Sequence, residues 1–154
     1  MALAGAKENQ YFGCKSAHIK PNDVARHIVA SANAAGGKLA IGIEDNGEIT
    51  GFSVDRAQNV EGFERAALTF CSPVPNVRKE RLPVMTASGR DDFILVLDVE
   101  ASTDRAISRR GDRKVFLRQQ DRSVELDREQ VTALESASSV LTATRWEPGA
   151  GSTS

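Results

Sequence analysis

The first periodic signal along the chain lies between residues 24 and 32. There Val24, Ala25, Ile28, Val29 and Ala32 recur at three- and four-residue spacing, which puts them on one stripe of an α-helix. Pro21-Asn22-Asp23 precedes the stripe and offers a turn and an N-cap, because short polar side chains accept hydrogen bonds from the free amides of a helix start. Gly36-Gly37 follows and ends the helix, since glycine readily takes the left-handed conformation of a C-terminal cap. From 38 to 44 the period changes to two. Leu39, Ile41 and Ile43 point one way and the small Ala40 and Gly42 the other, which predicts a strand with one face closely approached by other backbone. Asp45-Asn46-Gly47 is a hairpin signal, with Asn-Gly suited to a type I′ turn and 48–52 as the return strand.

The remaining pattern predicts further elements. Residues 11–16 read as a short strand. Asp55, with Gln58 three residues on, reads as the cap of a second helix whose stripe is Val60, Phe63, Ala67 and Phe70, closed by Pro73. Residues 77–87 are extended but broken by Pro83, which predicts an edge strand or bulge. Ser88-Gly89-Arg90-Asp91 is a turn, and the nearly all-apolar 93–99 should be the central, most buried strand. Residues 115–117 form another strand. Asp127 with Gln130 repeats the capping pattern and opens a last helix through Val131, Leu134 and Leu141. The order β-α-β-β-α-β-β-β-α predicts an α+β domain, a mixed, mostly antiparallel sheet with about three helices. Residues 1–7 are expected to be a flexible N-terminus, 8–143 the domain, and the Gly/Ser-rich 144–154 a disordered tail or linker.

Composition narrows the classes. A chain of 154 residues suits one domain. Its formal net charge of -1 supplies no global attraction to nucleic acid or membrane, so any basic surface is local. Cys14 and Cys71 are far apart, with no CxxC or Cys/His cluster, which supports neither a zinc site nor a disulfide framework. Two free thiols suit a reducing cytoplasm, the expected location. The apolar start is too short for a signal peptide, and no apolar run approaches the roughly 18 residues of a membrane span.

The local charge lies between 105 and 122. Arg105, Arg109, Arg110, Arg113, Lys114, Arg118 and Arg122 face only Asp112 and Asp121 within that stretch. Guanidinium forks match phosphate oxygens bidentately. The same pattern also suits a solvated loop and an edge strand that arginine keeps from aggregating. The glycines match neither GxxxxGK[ST] nor a strand-then-GxGxxG order, so they read as a cap, a turn and close packing. The few aromatic residues sit mostly at core periodicity, with no stacking platform for single strands, which favours recognition of backbone over bases. His18, beside Lys15 and Ser16, and His27, on the shoulder of the first helical stripe, read as half-buried structural side chains. Nothing in the sequence sets a base beside Cys14, Cys71 or a serine.

The run from Ala32-Asn33 through Gly36-Gly37, Ile41-Gly42-Ile43, Glu44-Asp45 and Gly47 to Gly51-Phe52 resembles the signature of the Schlafen AlbA-like domain. Glu8 to Lys15 is similar to that family's acidic and Phe/Cys-Lys strand. Val115-Phe116-Leu117-Arg118, Arg122-Ser123 and the capped helix at Asp127 are similar to its C-terminal segment. The resemblance spans 8–134 and suggests a bacterial member. It implies a nucleic-acid-binding module of regulatory or defence proteins, an RNA-cleaving site in some animal members, and, by older family labels, nucleotide binding. The cleaving members hold Mg²⁺ or Mn²⁺ with three carboxylates. Carried onto this chain, the first is Glu8 and the third Asp45, but the second is Gly13, which has no side chain to ligate. The expectation is therefore a binding domain with no cofactor, leaning away from catalysis. Lys15, Lys38, Arg109, Arg110, Arg113, Lys114, Arg118 and Arg122 are the phosphate contacts. Glu8 and Asp45 are the weak metal candidates and, with Lys15, the weak catalytic ones. A metal-dependent ribonuclease with a degraded site is the first alternative. The second is an interaction or homodimerisation module using the final helix and the edge near Pro83.

Overall fold

The computed structural model describes residues 12–102, 106–120 and 122–145. Glu8, Arg105, the expected N-terminus 1–7 and, of the expected tail 144–154, residues 146–154 lie outside the described residues. Strand β1, Phe12–Lys15, leads into helix α1, Pro21–Asn33. The helix buries Val24, Ala25, Ile28, Val29 and Ala32, the stripe its spacing predicts. Its start differs from the expected Asn/Asp cap. Pro21 occupies the first turn after Lys20, the N-cap residue, which makes no side-chain cap hydrogen bond. A proline has the right φ and no amide to satisfy at that position, so Asn22 and Asp23 fall inside the turn. At the other end Gly36 adopts φ +81 and its N–H donates to the Ser31 carbonyl at 2.9 Å. A Cβ on Gly36 would meet the Val99 carbonyl oxygen at 2.7 Å, so both backbone conformation and space require glycine there.

Strand β2, Gly37–Ile41, is followed by a hairpin with a longer loop and a shorter return strand than expected. Asp45 and Asn46 keep negative φ and only Gly47 is left-handed, at φ +88. The Gly47 N–H donates to the Glu44 carbonyl at 2.9 Å. This is a three-residue loop, a type I turn plus a left-handed glycine, and not a type I′ turn. The return segment makes the Ile43–Ile49 bridge, flanked by hydrogen bonds from the Glu44 N–H to the Glu48 carbonyl and from the Thr50 N–H to the Gly42 carbonyl, both at 2.9 Å, and forms no full strand. It leaves because Gly51 swings against Gly42, where a Cβ on Gly42 would lie 3.3 Å from the Gly51 Cα. That is the close backbone approach that Ala40 and Gly42 predict.

The second helical region is two short helices, α2 (Val60–Glu64) and α3 (Ala66–Phe70), broken at Arg65. Its cap is Asn59, whose Oδ1 accepts from the Glu61 N–H at 2.9 Å, and not Asp55. Gln58 instead spends its N–H on the Ala17 carbonyl. Then come β3 (Cys71–Ser72), β4 (Val77–Met85), β5 (Asp91–Val99), β6 (Ser108–Arg109), β7 (Val115–Gln119), β8 (Arg122–Leu126) and α4 (Arg128–Arg145). The α4 start carries the reciprocal capping box expected of it. Asp127 Oδ1 accepts from the Gln130 N–H at 2.8 Å and Gln130 Oε1 from the Asp127 N–H at 2.9 Å.

The main sheet has the order β1-β2-β5-β4, with β1 parallel to β2 and the other pairs antiparallel. The fold is α+β, with four described helices because the second expected one is split. β5 is interior and apolar as predicted, and β4 is an edge strand carrying Pro83. Helix α1 covers one sheet face, sharing a core with Leu39, Ile41, Leu95, Leu97, Phe63, Ile107 and Phe116. Two-stranded ribbons, β3–β6 and β7–β8, complete the fold, and the pairings of β3, β6 and β8 had no counterpart in the sequence pattern. Buried Asn33 ties α1 to them. Its Nδ2 donates to the Ile107 and Phe116 carbonyls, both at 2.9 Å, and its Oδ1 accepts from the Ile107 N–H at 2.7 Å. Among the described residues no helix is long and apolar enough to cross a membrane.

Candidate functional site

β1, α1 and the β7–β8 ribbon meet at a junction, and strand alternation decides which side chains enter it. Leu39 and Ile41 face the core beneath α1, so their parallel partners Gly13 and Lys15 face the same way. Across the ribbon Arg118 lies opposite Ser123. Both are buried, Arg118 to 3% exposure. From α1, His27 Nδ1 lies 2.7 Å from Ser123 Oγ, and Arg26 donates to the Ser123 carbonyl at 3.5 Å. The Arg26 guanidinium also lies 5.6 Å from the centre of the Phe116 ring, a favourable cation–aromatic distance.

Gly13 is the position where the resemblance calls for the second carboxylate. A Cβ there would lie 3.2 Å from Arg118 Nη2 and 3.2 Å from Leu39 Cδ1. The guanidinium of Arg118, whose Nε donates to the Gln120 carbonyl at 3.2 Å, lies against the glycine. Three cations bear on His27. Burial first, then Lys15, Arg26 and Arg118, press the His27 pKa from 6.5 down to about 3. His27 is therefore a neutral imidazole at physiological pH, half-buried as its sequence position suggests.

The other expected phosphate contacts are distributed. Lys38 shares a sheet face with Cys14 and Ala40, opposite to the face of Lys15. Arg109 is ion-paired with Asp112 and lies 5.2 Å from the centre of the Phe116 ring. The Nε of Arg110 donates to the Cys71 carbonyl at 3.4 Å, and Lys114 pairs with Glu125 at 3.6 Å. Arg113 and Arg122 are exposed and make no ion pair among the described residues. They flank opposite ends of the ribbon, whose five residue pairs span roughly 13 Å at strand rise. The stretch that is compact in sequence is thus spread along the β3–β6 and β7–β8 ribbons, with Arg118 as its buried member.

Among the carboxylate candidates, Asp45 is exposed in its turn. The base of that hairpin is bonded to β1, because the Gly42 and Ile43 amides donate to the Lys15 carbonyl at 2.8 and 3.3 Å. Among the described residues no three His, Cys, Asp or Glu side chains form a metal-holding group. Mg²⁺ and Mn²⁺ take clustered oxygen ligands. An ammonium, two guanidiniums and a neutral imidazole do not fit either ion. Burial also pushes the Cys71 thiol up to about 12, which leaves it inert as a nucleophile.

A family model described as "Schlafen, AlbA_2" matches residues 8–127. The chain belongs to that family. No curated protein matches it. The Schlafen AlbA_2 signature residues divide by what they do here. Asn33 clamps the ribbons to α1, Gly36 and Gly42 permit close backbone approach, and Lys15 lines the junction. Arg26, His27 and Ser123 were not foreseen as site members. His27 and Ser123 are 96 positions apart, and although Ser123 lies in the segment that resembles the family's C-terminal pattern, nothing local joins it to His27.

The Gly13–Arg118 contact has a direct consequence. In Gly13→Glu the new carboxylate meets the Arg118 guanidinium and is neutralised there, so restoring the missing acid alone creates no Mn²⁺-dependent cleavage of transfer RNA. Manganese-dependent cleavage by purified Gly13→Glu, absent from a Gly13→Gln control, would refute this account.

Proposed function

We propose that this chain is a nucleic-acid-binding domain of a regulatory or defence protein, which holds phosphates at the junction of β1, α1 and the β7–β8 ribbon and does not cleave the strand. The observation that carries this reading is the Arg118 guanidinium against Gly13. A glycine stands where the cleaving relatives carry a metal-ligating acid, and a buried guanidinium lies against it, an arrangement that suits a phosphate better than a divalent cation. Lys15 and Arg26 add cations beside that centre, and the exposed Arg113 and Arg122 stand at the two ends of the ribbon. With no base-reading aromatic platform, backbone phosphates are the principal contacts, and the expected signature is steep salt dependence through counterion release.

The test is fluorescence anisotropy with DNA and RNA duplexes over a salt series. Log K falls linearly with log salt, and each of Lys15→Ala, Arg113→Ala and Arg122→Ala lowers the slope by about 1. Lys38→Ala, on the other sheet face, leaves the slope unchanged. Undetectable binding at low salt sinks the proposal. Equal losses from Lys38→Ala and Lys15→Ala would move the interface away from the junction.

A further inference from the structure

Lys15, Arg26 and Arg118 converge on a side chain that carries no charge. A neutral imidazole has one N–H and one acceptor nitrogen. Nδ1 of His27 is engaged with Ser123 Oγ, while Nε2 has no partner among the described residues. No described side-chain nitrogen or oxygen is both buried and unpartnered, so Nε2 is open to solvent. The ion pairs of the described residues are Arg81–Glu64, Arg109–Asp112 and Lys114–Glu125, and none of them occupies Lys15 or Arg26. The junction therefore presents the Lys15 ammonium, the Arg26 guanidinium that also reaches the Ser123 carbonyl, and the His27–Ser123 pair, with the buried Arg118 beside them.

We infer that this junction is a pocket for a phosphate dianion, the terminal phosphomonoester of a nucleic-acid strand, held by Lys15, Arg26 and the His27–Ser123 pair beside Arg118. The inference rests on the nucleic-acid reading only for the source of the phosphate. A terminal monoester approaches two negative charges at neutral pH and has three acceptor oxygens, whereas an internal diester carries one charge. A half-buried site with several converging cations favours the former. Proton linkage follows. The groups facing His27 are Lys15 from β1, Arg26 on its own helix, Arg118 from β7 and Ser123 from β8. Burial is the first cause of the depressed His27 pKa and stays, but a bound dianion offsets the cations that add to it and gives the ring an anionic acceptor, so binding raises the proton affinity of His27 and tightens as pH falls.

The probes are sulfate, inorganic phosphate, and a short single-stranded oligonucleotide with and without a terminal phosphate. Ring-proton NMR of the two histidines is the readout. Sulfate stays a dianion through the range, so any pH dependence it shows belongs to the protein. At about pH 6 sulfate and phosphate move the His27 signals toward their imidazolium positions and leave His18 in place. Sulfate binds several-fold tighter at about pH 5.5 than at about pH 7.5. The phosphorylated strand binds at least about tenfold tighter than its unphosphorylated twin. Lys15→Ala and Arg26→Ala each lose about tenfold in sulfate affinity, and His27→Gln still binds but without pH dependence. His27 signals unmoved by all probes, or unchanged affinity in Lys15→Ala, overturn the pocket. If both strands bind alike while His27 stays unmoved, the pocket is wrong and backbone binding stands. If sulfate and phosphate move His27 but neither strand binds, the strand end is overturned as the source and the nucleic-acid reading fails with it.

Discussion

Replacing Asn33 by alanine lowers the unfolding free energy by about 3–5 kcal/mol, enough to unfold a domain of ordinary stability or nearly so. The side chain is buried and fully used, with two donated hydrogen bonds and one accepted, all between 2.7 and 2.9 Å. Truncation orphans the Ile107 carbonyl and amide and the Phe116 carbonyl together. Each unsatisfied buried group costs about 1–3 kcal/mol, less what relaxation and water entry recover. Asn33→Asp does no better, since a second carboxylate oxygen would face two carbonyls that need a donor. Urea denaturation at neutral pH measures the loss, with the slope m unchanged if the native fold is kept. A loss under about 1 kcal/mol would mean that the clamp is unimportant. The functional corollary is that Asn33→Ala weakens phosphate binding without touching a ligand, because β6 and β7 carry Arg109 and Arg118.

The second large effect is an acid dependence set by His27. Its folded pKa is depressed to about 3 from 6.5. The unfolded chain therefore takes up a proton as pH falls below 6.5, while the folded chain does not until far lower. Stability is fully present above pH 6.5 and is lost as pH falls toward 3, at up to about 1.4 kcal/mol per pH unit. Allowing for the solvent access of Nε2, a loss of about 1.5–3 kcal/mol by about pH 4 is expected. Hydrogen bonds to Arg81 and to Arg109 hold Glu64 and Asp112 below the usual carboxylate range. Backbone amides of Phe93, Phe52 and Ser53 do so for Asp92 against its own desolvation. Those groups add a separate loss, which starts only as pH approaches the unfolded carboxylate value of about 4. The window between about pH 6.5 and 4.5 thus separates the His27 loss from that of the carboxylates. His27→Gln, which keeps a polar partner for Ser123, flattens chemical-denaturation stability across that window. The same slope in His27→Gln as in the unsubstituted chain would rule the mechanism out.

Several expectations failed on the choice of partner. The Pro21, Asp55 and Asn46-Gly47 readings each chose a locally sensible partner, and the fold chose another. Pro21 fits the first helical turn better than any cap. Gln58 is drawn to the Ala17 carbonyl, so α2 starts later, at Asn59. The return strand of the hairpin is cut short where Gly51 closes on Gly42 and on Asp92. The Asp92 carboxylate accepts from the Phe52 and Ser53 amides at 3.1 and 2.9 Å. In the last two cases a tertiary hydrogen bond or contact outweighed a local preference of about 1 kcal/mol or less, whereas at Pro21 one local preference displaced another.

Residues whose partners lie within a few positions along the chain could be read directly. The α1 stripe, the Asp127–Gln130 capping box, the Gly36 helix end and the apolar β5 all follow from local periodicity and conformational preference, and so does the family signature. The candidate site had no such local basis. Arg118 looked like one more cation in a basic stretch, and Gly13 looked only like a missing acid. Their contact arises because β1 pairs with β2 while the β7–β8 ribbon is clamped to α1 by Asn33. Strand alternation then turns Arg118 inward and Lys38 onto the opposite face. Burial does the rest, because the field that keeps His27 neutral exists only where Lys15, Arg26 and Arg118 are drawn together in a medium that screens them poorly.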